Sequence, residues 1–348
     1  MSGATHLLSR CETDAQCVSS ANDVRRTSMS GIETVRGPIE ADGLGATLVH
    51  EHVFVRDEEI ESNYPELWDE ASRVTDAVAR LRALKEKGVD SILDPTVIGH
   101  GRDIRRVIEI NSQVDINIVA ATGIYTYNDV PLFFHFHGPG TLLGGPEAMV
   151  DMFVKDLTEG IAGTAVKAGF LKCAIDDTLT PGVERIFAAV AEASLQTGAP
   201  ITVHSSAPHG TGLVAQEWFT RAGIDPAKLV IGHCGDTADL DYLHRVIDGG
   251  SYLGMDRFGL DIFLPDDQRI ATVATLVDEG YADRLMLSQD ASCHIDWLPP
   301  GTREAALPNW HYTHIHDDVL PMLREQGVGE HAIATMLVEN PRRYLVGE

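Results

Sequence analysis

Residues 229–256, LVIGHCGDTADLDYLHRVIDGGSYLGMD, contain one complete strand–helix–strand unit. An apolar run opens the segment, residues 238–249 place apolar side chains at three- and four-residue spacing, and glycines separate that pattern from a second apolar run. A helical crossover of this kind makes the two strands parallel neighbours in one sheet. The same alternation continues outward in both directions.

Eight short apolar runs alternate with helical patterns along the chain. The runs are residues 46–55, 90–96, 117–123, 169–175, 200–206, 229–235, 251–256 and 285–290. The helical patterns are residues 71–88, 103–113, 146–165, 181–198, 213–223, 238–249 and 266–280. Eight such units in roughly 300 residues predict a closed (β/α)8 TIM barrel in the α/β class. An open doubly wound sheet is the alternative, but no G-x-G-x-x-G turn follows the first strand.

The barrel pattern is flanked by segments of different character. Residues 1–30 are polar and without periodicity, which predicts a disordered N-terminal tail before a single domain over residues 31–348. Residues 35–44 predict a short hairpin. A long irregular stretch over residues 291–314 precedes two predicted helices near 316–345, and loops of this length usually have a function as lids.

Composition and charge restrict the classes of function. The chain has 348 residues, of which 44% are hydrophobic and 23% charged, and its formal net charge is −25. These values are typical of a globular protein and argue against nucleic acid or a membrane as the partner. The chain lacks an apolar run of roughly 18 residues and a secretory leader, and its five cysteines form no C-x-x-C pair, so we expect a cytoplasmic protein.

Polar side chains recur near the ends of the predicted strands. They are His50 and His52 on the first strand, Lys172 on the fourth, His204 on the fifth, His233 on the sixth and Asp290 on the eighth. His50 and His52 face the same side because they are two residues apart on a strand. The carboxyl ends of barrel strands form the mouth where active sites are built. Imidazoles and carboxylates at that mouth suit Zn, Mn, Fe or Co, and six such groups exceed one tetrahedral site.

Each of these residues also has a purely structural interpretation. A single buried histidine is more often a hydrogen-bonded core residue than a ligand, Lys172 can reach solvent from a strand end, and Asp290 can be a turn residue. Two further H-x-H patterns, at residues 135–137 and 314–316, lie in a loop and before a helix, which favours structural or surface histidines. The joint placement at several strand ends favours a metal site.

Lys172 differs from the other candidates in its charge. An ammonium group among metal-binding imidazoles is repelled by the metal ions. A neutral lysine can instead react with carbon dioxide to form a carbamate, which is anionic and has two oxygens able to bridge two metals. The position of Lys172 is consistent with that chemistry.

The motifs LVHEHVFV, GFLKCA, VHS, IGHCGD and MDRFGLD, together with the aspartate of the last strand, resemble the phosphotriesterase family of the amidohydrolase superfamily. Within it they look most like the phosphotriesterase-like lactonases, including the N-acyl homoserine lactonases. The resemblance extends from about residue 35 to residue 344. It implies an amidohydrolase-type barrel and a binuclear metal-dependent hydrolase that opens lactone rings, as in quorum quenching, with weak phosphotriesterase side activity.

The resemblance also implies a role for individual residues. Those implied for the more buried of two divalent ions (Zn, Co, Mn or Fe) are His50, His52 and Asp290. Those implied for the exposed ion are His204 and His233, with Lys172 as a carbamate that bridges both ions. The resemblance places Tyr125 beside the metal centre, where its hydroxyl can assist catalysis. Asp290 is predicted to act also as a proton shuttle, because a carboxylate that touches the attacking hydroxide is placed for general acid and base work. For substrate binding the resemblance implies Tyr125, Arg257 and Trp297. The apolar loop after the seventh strand adds Phe258 and Phe263 as predicted substrate residues.

The sequence says less about the substrate and the oligomeric state than about the metal ligands. The sequence departs from the family pattern at Gln289 and Ser292, beside the predicted active-site loop, and neither change removes a ligand. The apolar loop over residues 258–265 is either buried packing or a lid that accepts an acyl chain. A phosphotriesterase or other carboxylester hydrolase with the same metals is the alternative enzyme, and a non-catalytic metal-binding scaffold is the alternative class. The resemblance suggests a homodimer with residues 130–137 as a contact.

Overall fold

Buried apolar runs form the strands of the computed structural model, which describes residues 31–347. The strands β1 to β10 are Thr47–Leu48, His52–Val55, Ser91–Asp94, Asn117–Gly123, Phe170–Ala174, Ile201–His204, Leu229–Ile231, Tyr252–Met255, Leu285–Leu287 and Ser292–Ile295. The tail predicted for residues 1–30 lies outside the described residues.

The sheet is a parallel barrel. Its strand order is β1-β3-β4-β5-β6-β7-β8-β9, and every neighbouring pair in that order is parallel. The two ends of the order meet where the Asp290 amide donates to the His50 carbonyl at 3.0 Å and the His52 amide donates to the Ala291 carbonyl at 2.8 Å. The fold is therefore the (β/α)8 barrel that the alternation of elements predicts, and the open doubly wound sheet is excluded.

The first predicted strand, over residues 46–55, is interrupted at this closing seam. β1 pairs with β3, whereas β2 pairs with β10 in a separate two-stranded sheet. Between them the Glu51 carboxylate accepts hydrogen bonds from the Ser288 hydroxyl at 2.7 Å and from the amides of Gln289 and Ala291 at 2.9 and 3.0 Å. A buried side chain thus takes the place of strand pairing where the barrel closes.

Helices follow the strands and cover the outside of the barrel. The helices α1 to α12 are Glu58–Asn63, Glu70–Glu86, Ile104–Asn111, Ala148–Thr158, Pro181–Thr197, Thr211–Arg221, Leu240–Asp248, Asp266–Asp278, Thr302–Ala306, Leu320–Glu325, Glu330–Ala334 and Asn340–Val346. Several begin at a capping side chain, because Asp69, Asp103, Thr180 and Asp239 accept hydrogen bonds from amides of the first turn.

Two segments outside the barrel differ in detail from the sequence expectation. The antiparallel contact near the start joins Ile32 to Ile39 across a turn at Gly37, whose φ is +105°, and residues 41–43 form a 3-10 turn in place of the second half of the predicted hairpin. The irregular stretch over residues 291–314 contains β10 and α9. Across the described residues, no helix combines the length and hydrophobicity needed to cross a bilayer.

The barrel interior explains why polar side chains collect at one end. A buried cluster that includes Val119, Phe170 and Met286 packs as a separate apolar group from the larger cluster that contains the helix residues. Because residues two apart on a strand face the same side, Phe170 and Lys172 share one face of β5. Apolar side chains therefore fill the barrel below, and polar ones follow toward the carboxyl ends of the strands.

Candidate metal centre

A cavity of about 260 Å3 lies at the carboxyl ends of the barrel strands. Its lining contains all six predicted metal ligands, which are His50, His52, Lys172, His204, His233 and Asp290. Five of the six residues are buried, and only Asp290 is partly exposed. The structure therefore brings together the residues that the sequence places on five different strand ends.

His50, His52 and Asp290 form the first half of the cluster. Asp290 Oδ1 is 3.5 Å from His50 Nε2 and 3.3 Å from His52 Nε2. Ligand atoms in a tetrahedral zinc site with bonds near 2.1 Å are about 3.4 Å apart. The spacing and the nitrogen and oxygen donor set therefore fit a divalent metal ion.

His204, His233 and Lys172 form the second half. His233 Nε2 is 2.7 Å from His204 Nδ1, and Lys172 Nζ is 3.3 Å from His50 Nε2. Burial lowers the pKa of Lys172 to about 8. Among the described residues no carboxylate lies within salt-bridge distance of this lysine, which is only 1% exposed. A buried lysine without an anionic partner needs another way to avoid carrying an isolated charge.

Three histidines of the cluster, His50, His204 and His233, are held in their neutral form. Burial lowers the pKa of His50 and His233 below the ordinary value, and lowers that of His204 to about 3. A neutral imidazole offers a lone pair, whereas a protonated one offers none. The pKa directions therefore agree with a ligand role for these side chains.

Asp256 is a site residue that the sequence analysis missed. Its carboxylate is 3.1 Å from His50 Nδ1 and 2.8 Å from His233 Nδ1, so it holds both rings with Nε2 directed to the cluster. Although burial alone would raise it, the two imidazoles hold the pKa of Asp256 well below its usual value. Thr96 Oγ1 is 2.7 Å from His52 Nδ1 and orients that ring. Such partners fix the tautomer of metal-binding histidines.

Backbone strain is concentrated at this cavity. Among the described residues other than glycine, positive φ angles occur at His233, Arg257 and Asp290, with values of 61°, 65° and 54°, and at Ala162 outside the site. These three residues follow the ends of β7, β8 and β9 in turn. A non-glycine residue in the left-handed region costs about 1–2 kcal/mol, and such residues cluster at functional sites.

Arg257 connects the cluster to a second carboxylate. Its Nε donates to Asp290 Oδ2 at 3.1 Å and its Nη1 donates to Asp236 Oδ2 at 2.9 Å. Burial alone would raise the pKa of Asp290, but His50, His52, His233 and the Arg257 guanidinium hold it well below its usual value. Asp290 is thus fixed through both oxygens, with Oδ1 toward the imidazoles and Oδ2 toward the guanidinium.

The predicted substrate residues divide into two groups. Tyr125, Arg257, Phe263 and Trp297 line the cavity. Phe258 does not, because its side chain is fully buried and packs in the larger apolar core. Tyr125 forms a hydrogen bond with Tyr127 through their hydroxyls, and burial raises the pKa of Tyr125 well above its ordinary value.

The cavity also contains a histidine that the sequence analysis did not predict. His100 lines it although it belongs to none of the predicted motifs, and burial lowers the pKa of His100 well below its ordinary value. The signal that could have found it is its place after β3, at the same barrel end as the ligands.

Gln289, where the sequence departs from the family pattern, is buried away from the cavity. Its side-chain oxygen accepts a hydrogen bond from the Ile315 amide at 3.1 Å.

The two other H-x-H patterns lie outside the cavity lining, and His314 belongs with His311 and Asp318 to a separate group of possible ligands. His135 is paired with Asp129 at the surface, and His137 bonds the Phe133 carbonyl at 2.8 Å. His314 lies between two carboxylates, with Nε2 2.6 Å from Asp266 and Nδ1 2.9 Å from Asp318. These contacts satisfy both ring nitrogens of His314 as an ion pair.

Comparison with known proteins identifies the family. A family model described as "Phosphotriesterase family" matches residues 30–345. The chain belongs to the phosphotriesterase family. A Mycobacterium tuberculosis protein named "Phosphotriesterase homology protein" is 53% identical over 317 residues, covering 90% of this chain and 97% of that protein. The "Aryldialkylphosphatase" of Saccharolobus solfataricus is 41% identical over 309 residues, covering 88% of this chain and 96% of that protein.

A solved structure extends the similarity to the fold. The structure described as "Structure of the phosphotriesterase from Mycobacterium tuberculosis" matches with a TM-score of 0.89 and 53% identity, covering 90% of this chain and 98% of that chain. Membership of the phosphotriesterase family, together with the histidine and aspartate cluster, makes this protein a metal-dependent hydrolase. The non-catalytic scaffold is thereby excluded.

Proposed function

We propose that this phosphotriesterase-family protein opens lactone rings, and that N-acyl homoserine lactones are its substrates. The observation that carries the proposal is the apolar edge of the cavity. Ile262, Phe263 and Trp297 line it although their side chains are 69%, 53% and 50% exposed. Exposed apolar side chains in a row beside a polar site suit a substrate with an alkyl tail, and each buried methylene contributes about 0.8 kcal/mol.

The chemistry would combine bound metal with residues of the chain. Two divalent ions held by this donor set supply Lewis acidity and lower the pKa of water from 15.7 toward about 7. The Tyr125 hydroxyl, kept protonated by burial, donates a hydrogen bond to the carbonyl oxygen as negative charge develops there. The half-buried guanidinium of Arg257 keeps the carboxylate of Asp290 in place through the 3.1 Å contact to Oδ2.

Asp290 is the proposed proton carrier. Its Oδ1 faces the imidazoles of His50 and His52 at 3.5 and 3.3 Å, so it is within reach of a water held among them. The carboxylate accepts a proton from the attacking water and returns it to the ring oxygen as the carbon–oxygen bond breaks. Water and lactone then give the hydroxy acid, and the enzyme ends in its starting protonation state.

The bridging ligand is proposed to be a carbamate on Lys172. The lysine is buried, has no carboxylate partner among the described residues, and approaches His50 Nε2 at 3.3 Å. Addition of carbon dioxide to the neutral amine forms a nitrogen–carbon bond and releases one proton, which replaces an isolated cation by an anionic ligand. The same donor set accepts Zn, Co, Mn or Fe, and we propose zinc on the strength of the neutral imidazoles.

A second candidate is hydrolysis of phosphotriesters or other carboxylic esters at the same centre. It is favoured by the similarity to a protein named "Aryldialkylphosphatase" over 88% of this chain. A metal pair that polarises a carbonyl oxygen also polarises a phosphoryl oxygen. We propose this as a weaker side activity, because the exposed apolar edge suits a long tail better than a compact triester.

The test uses protein produced with added divalent metal and bicarbonate. We expect it to open a long-chain N-acyl homoserine lactone, and Lys172→Ala to lose both turnover and metal. Lys155→Ala, which changes an exposed lysine on α4, is the matched control and should keep both. Protein that holds two metal ions per chain yet leaves the lactone intact would reject the substrate and direct the assay to aryl phosphotriesters.

We also propose that the protein is a homodimer that acts in the cytoplasm on signalling lactones, which is quorum quenching. The dimer is supported by exposed apolar side chains in and beside the predicted contact, among them Leu132, Phe133 and Phe136. A patch of this kind is typical of an interaction surface. Light scattering should give twice the chain mass, and Phe136→Glu should give the chain mass.

A further inference from the structure

His100 occupies a position that the backbone fixes. Its amide donates to the Val97 carbonyl at 3.0 Å, and its carbonyl accepts from the Arg56 amide at 2.9 Å. The next residue, Gly101, has a φ of +70°, and a Cβ there would lie 2.5 Å from the Arg56 carbonyl oxygen. The imidazole is therefore presented to the cavity by a rigid segment.

The ring of His100 lies in an aromatic wall of the cavity. Its centroid is 3.8 Å from that of Tyr125, 5.1 Å from that of His52 and 5.8 Å from that of Trp297. The residue is 3% exposed. The ring of His100 therefore lies between that of His52 and that of Trp297, which belongs to the apolar edge of the cavity.

The imidazole has no hydrogen-bond partner in the described part of the chain. Nδ1 is enclosed and unpaired, whereas Nε2 is not enclosed and also lacks a partner there. A buried polar group without a partner costs about 1–3 kcal/mol. An enclosed N–H without an acceptor is rarer than an enclosed lone pair, which favours the tautomer with the proton on Nε2. Nε2 is then a free donor at the cavity surface.

His100 also differs from the candidate ligands in how it is held. The Nδ1 atoms of His50 and His233 contact Asp256, and that of His52 contacts Thr96. Such contacts turn Nε2 toward a metal. His100 has neither a carboxylate nor a hydroxyl contact among the described residues, so its donor is available to a substrate.

We propose that His100 is a specificity-determining residue whose Nε2–H donates to the carbonyl oxygen of an amide attached beside the scissile lactone ring. The inference rests on the proposed lactonase function and selects between the two classes of lactone that the apolar edge admits. An N-acyl homoserine lactone carries the amide, whereas a γ-alkyl lactone does not. A site built to bond a polar group discriminates against substrates that lack it.

The experiment compares kcat/KM for N-octanoyl homoserine lactone and for a γ-alkyl lactone with a tail of equal length. His100→Leu should lower kcat/KM for the amide-bearing lactone about ten- to a hundredfold and change the γ-alkyl lactone less than about threefold. His100→Gln, which restores an N–H donor, should recover part of the loss. Unchanged metal content and melting temperature show that the variants fold.

Equal losses on both lactones, or no loss on either, would overturn the role of His100. A binding readout separates this result from failure of the proposed function. N-octanoyl cyclopentylamine has the amide without a lactone, and calorimetry on metal-loaded protein should show binding weakened about tenfold in His100→Leu. Binding that is equal in both proteins, or absent from the wild type, overturns the proposal even if no lactone is opened.

Discussion

The cavity has two regions that are built in opposite ways. Its floor consists of the six candidate ligands, which are His50, His52, Lys172, His204, His233 and Asp290. Its rim consists of Ile262, Phe263, Trp297 and Leu298. Five floor residues are buried, and their atoms are held by carboxylates, hydroxyls and each other, whereas three of the four rim side chains are exposed by half or more. The difference indicates that the barrel strands position the groups that carry out the reaction, whereas the loops determine which substrates bind.

The largest effect should come from the floor. Asp290→Asn keeps the shape of the side chain but cannot accept a proton from water, so we expect kcat/KM for the best substrate to fall about 10²- to 10⁴-fold. Turnover and metal content are measured together, because a loss of metal alone would give a different explanation. Full turnover with metal bound would remove Asp290 from proton transfer and leave only a ligand role.

A smaller effect should come from beneath the floor. Asp256→Asn replaces one acceptor oxygen by a donor, so the carboxamide can no longer accept from Nδ1 of both His50 and His233. We expect metal affinity to fall about 10- to 100-fold, as measured by competition with a chelator. Asp248→Asn, at the exposed end of α7, is the control. Unaltered affinity would show that the floor does not depend on its supporting carboxylate.

The rim should govern the response to tail length. In the wild type each added methylene that is buried should lower KM by up to about fourfold, the equivalent of 0.8 kcal/mol. Trp297→Ala should flatten this dependence while kcat on the shortest substrate stays within about threefold. Leu195→Ala changes another half-exposed apolar side chain, far along α5, and should have no effect. The same dependence in both variants would mean that tails bind elsewhere.

The smallest effect concerns the loop over residues 258–265, which we call the rim loop because it carries Ile262 and Phe263. Burial opposes protonation of His314, but hydrogen bonds to Asp266 and Asp318 outweigh it and raise the pKa of His314 above its ordinary value. Asp266 in turn accepts from the Gly259 amide of the rim loop at 2.9 Å. The pairing therefore contributes stability in full below about pH 6.5 and loses it as the pH rises through the raised pKa.

Chemical unfolding at several pH values measures this contribution, which should be about 0.5 kcal/mol because the Asp318 carboxylate is half exposed. His314→Gln should lack the decline in unfolding free energy above pH 6.5. Parallel curves for the two proteins would show that the ion pair does not stabilise the fold.

The floor could be predicted from the sequence because its residues follow strands. His204 ends β6, and the parallel order of strands brings such ends together whatever the loops do. The supporting residues could not be predicted in this way. Asp256 closes an apolar run just as Asp290 does, and only the direction of its side chain shows that it supports histidines instead of facing the cavity.

The orientation of loop side chains is also difficult to predict from the sequence. Phe258 and Phe263 belong to one apolar loop, but the first is enclosed by the core and the second is exposed at the rim. A loop has no fixed period, so composition does not tell which side faces inward. The break in the first strand was missed because it depends on Glu51, whose partners are near residue 290.

The contacts of Glu51 also determine when the site can form during synthesis of the chain. Its contact with the Gln289 amide spans 238 positions, so the seam cannot form until most of the polypeptide has left the ribosome. His50 and His52 leave the ribosome early, but they can join the site only after the last strand has been synthesised. Contacts so distant in sequence slow folding. We therefore expect ribosome-bound chains that end before residue 288 to lack the floor, and metal capture to be a late event in the life of the nascent protein.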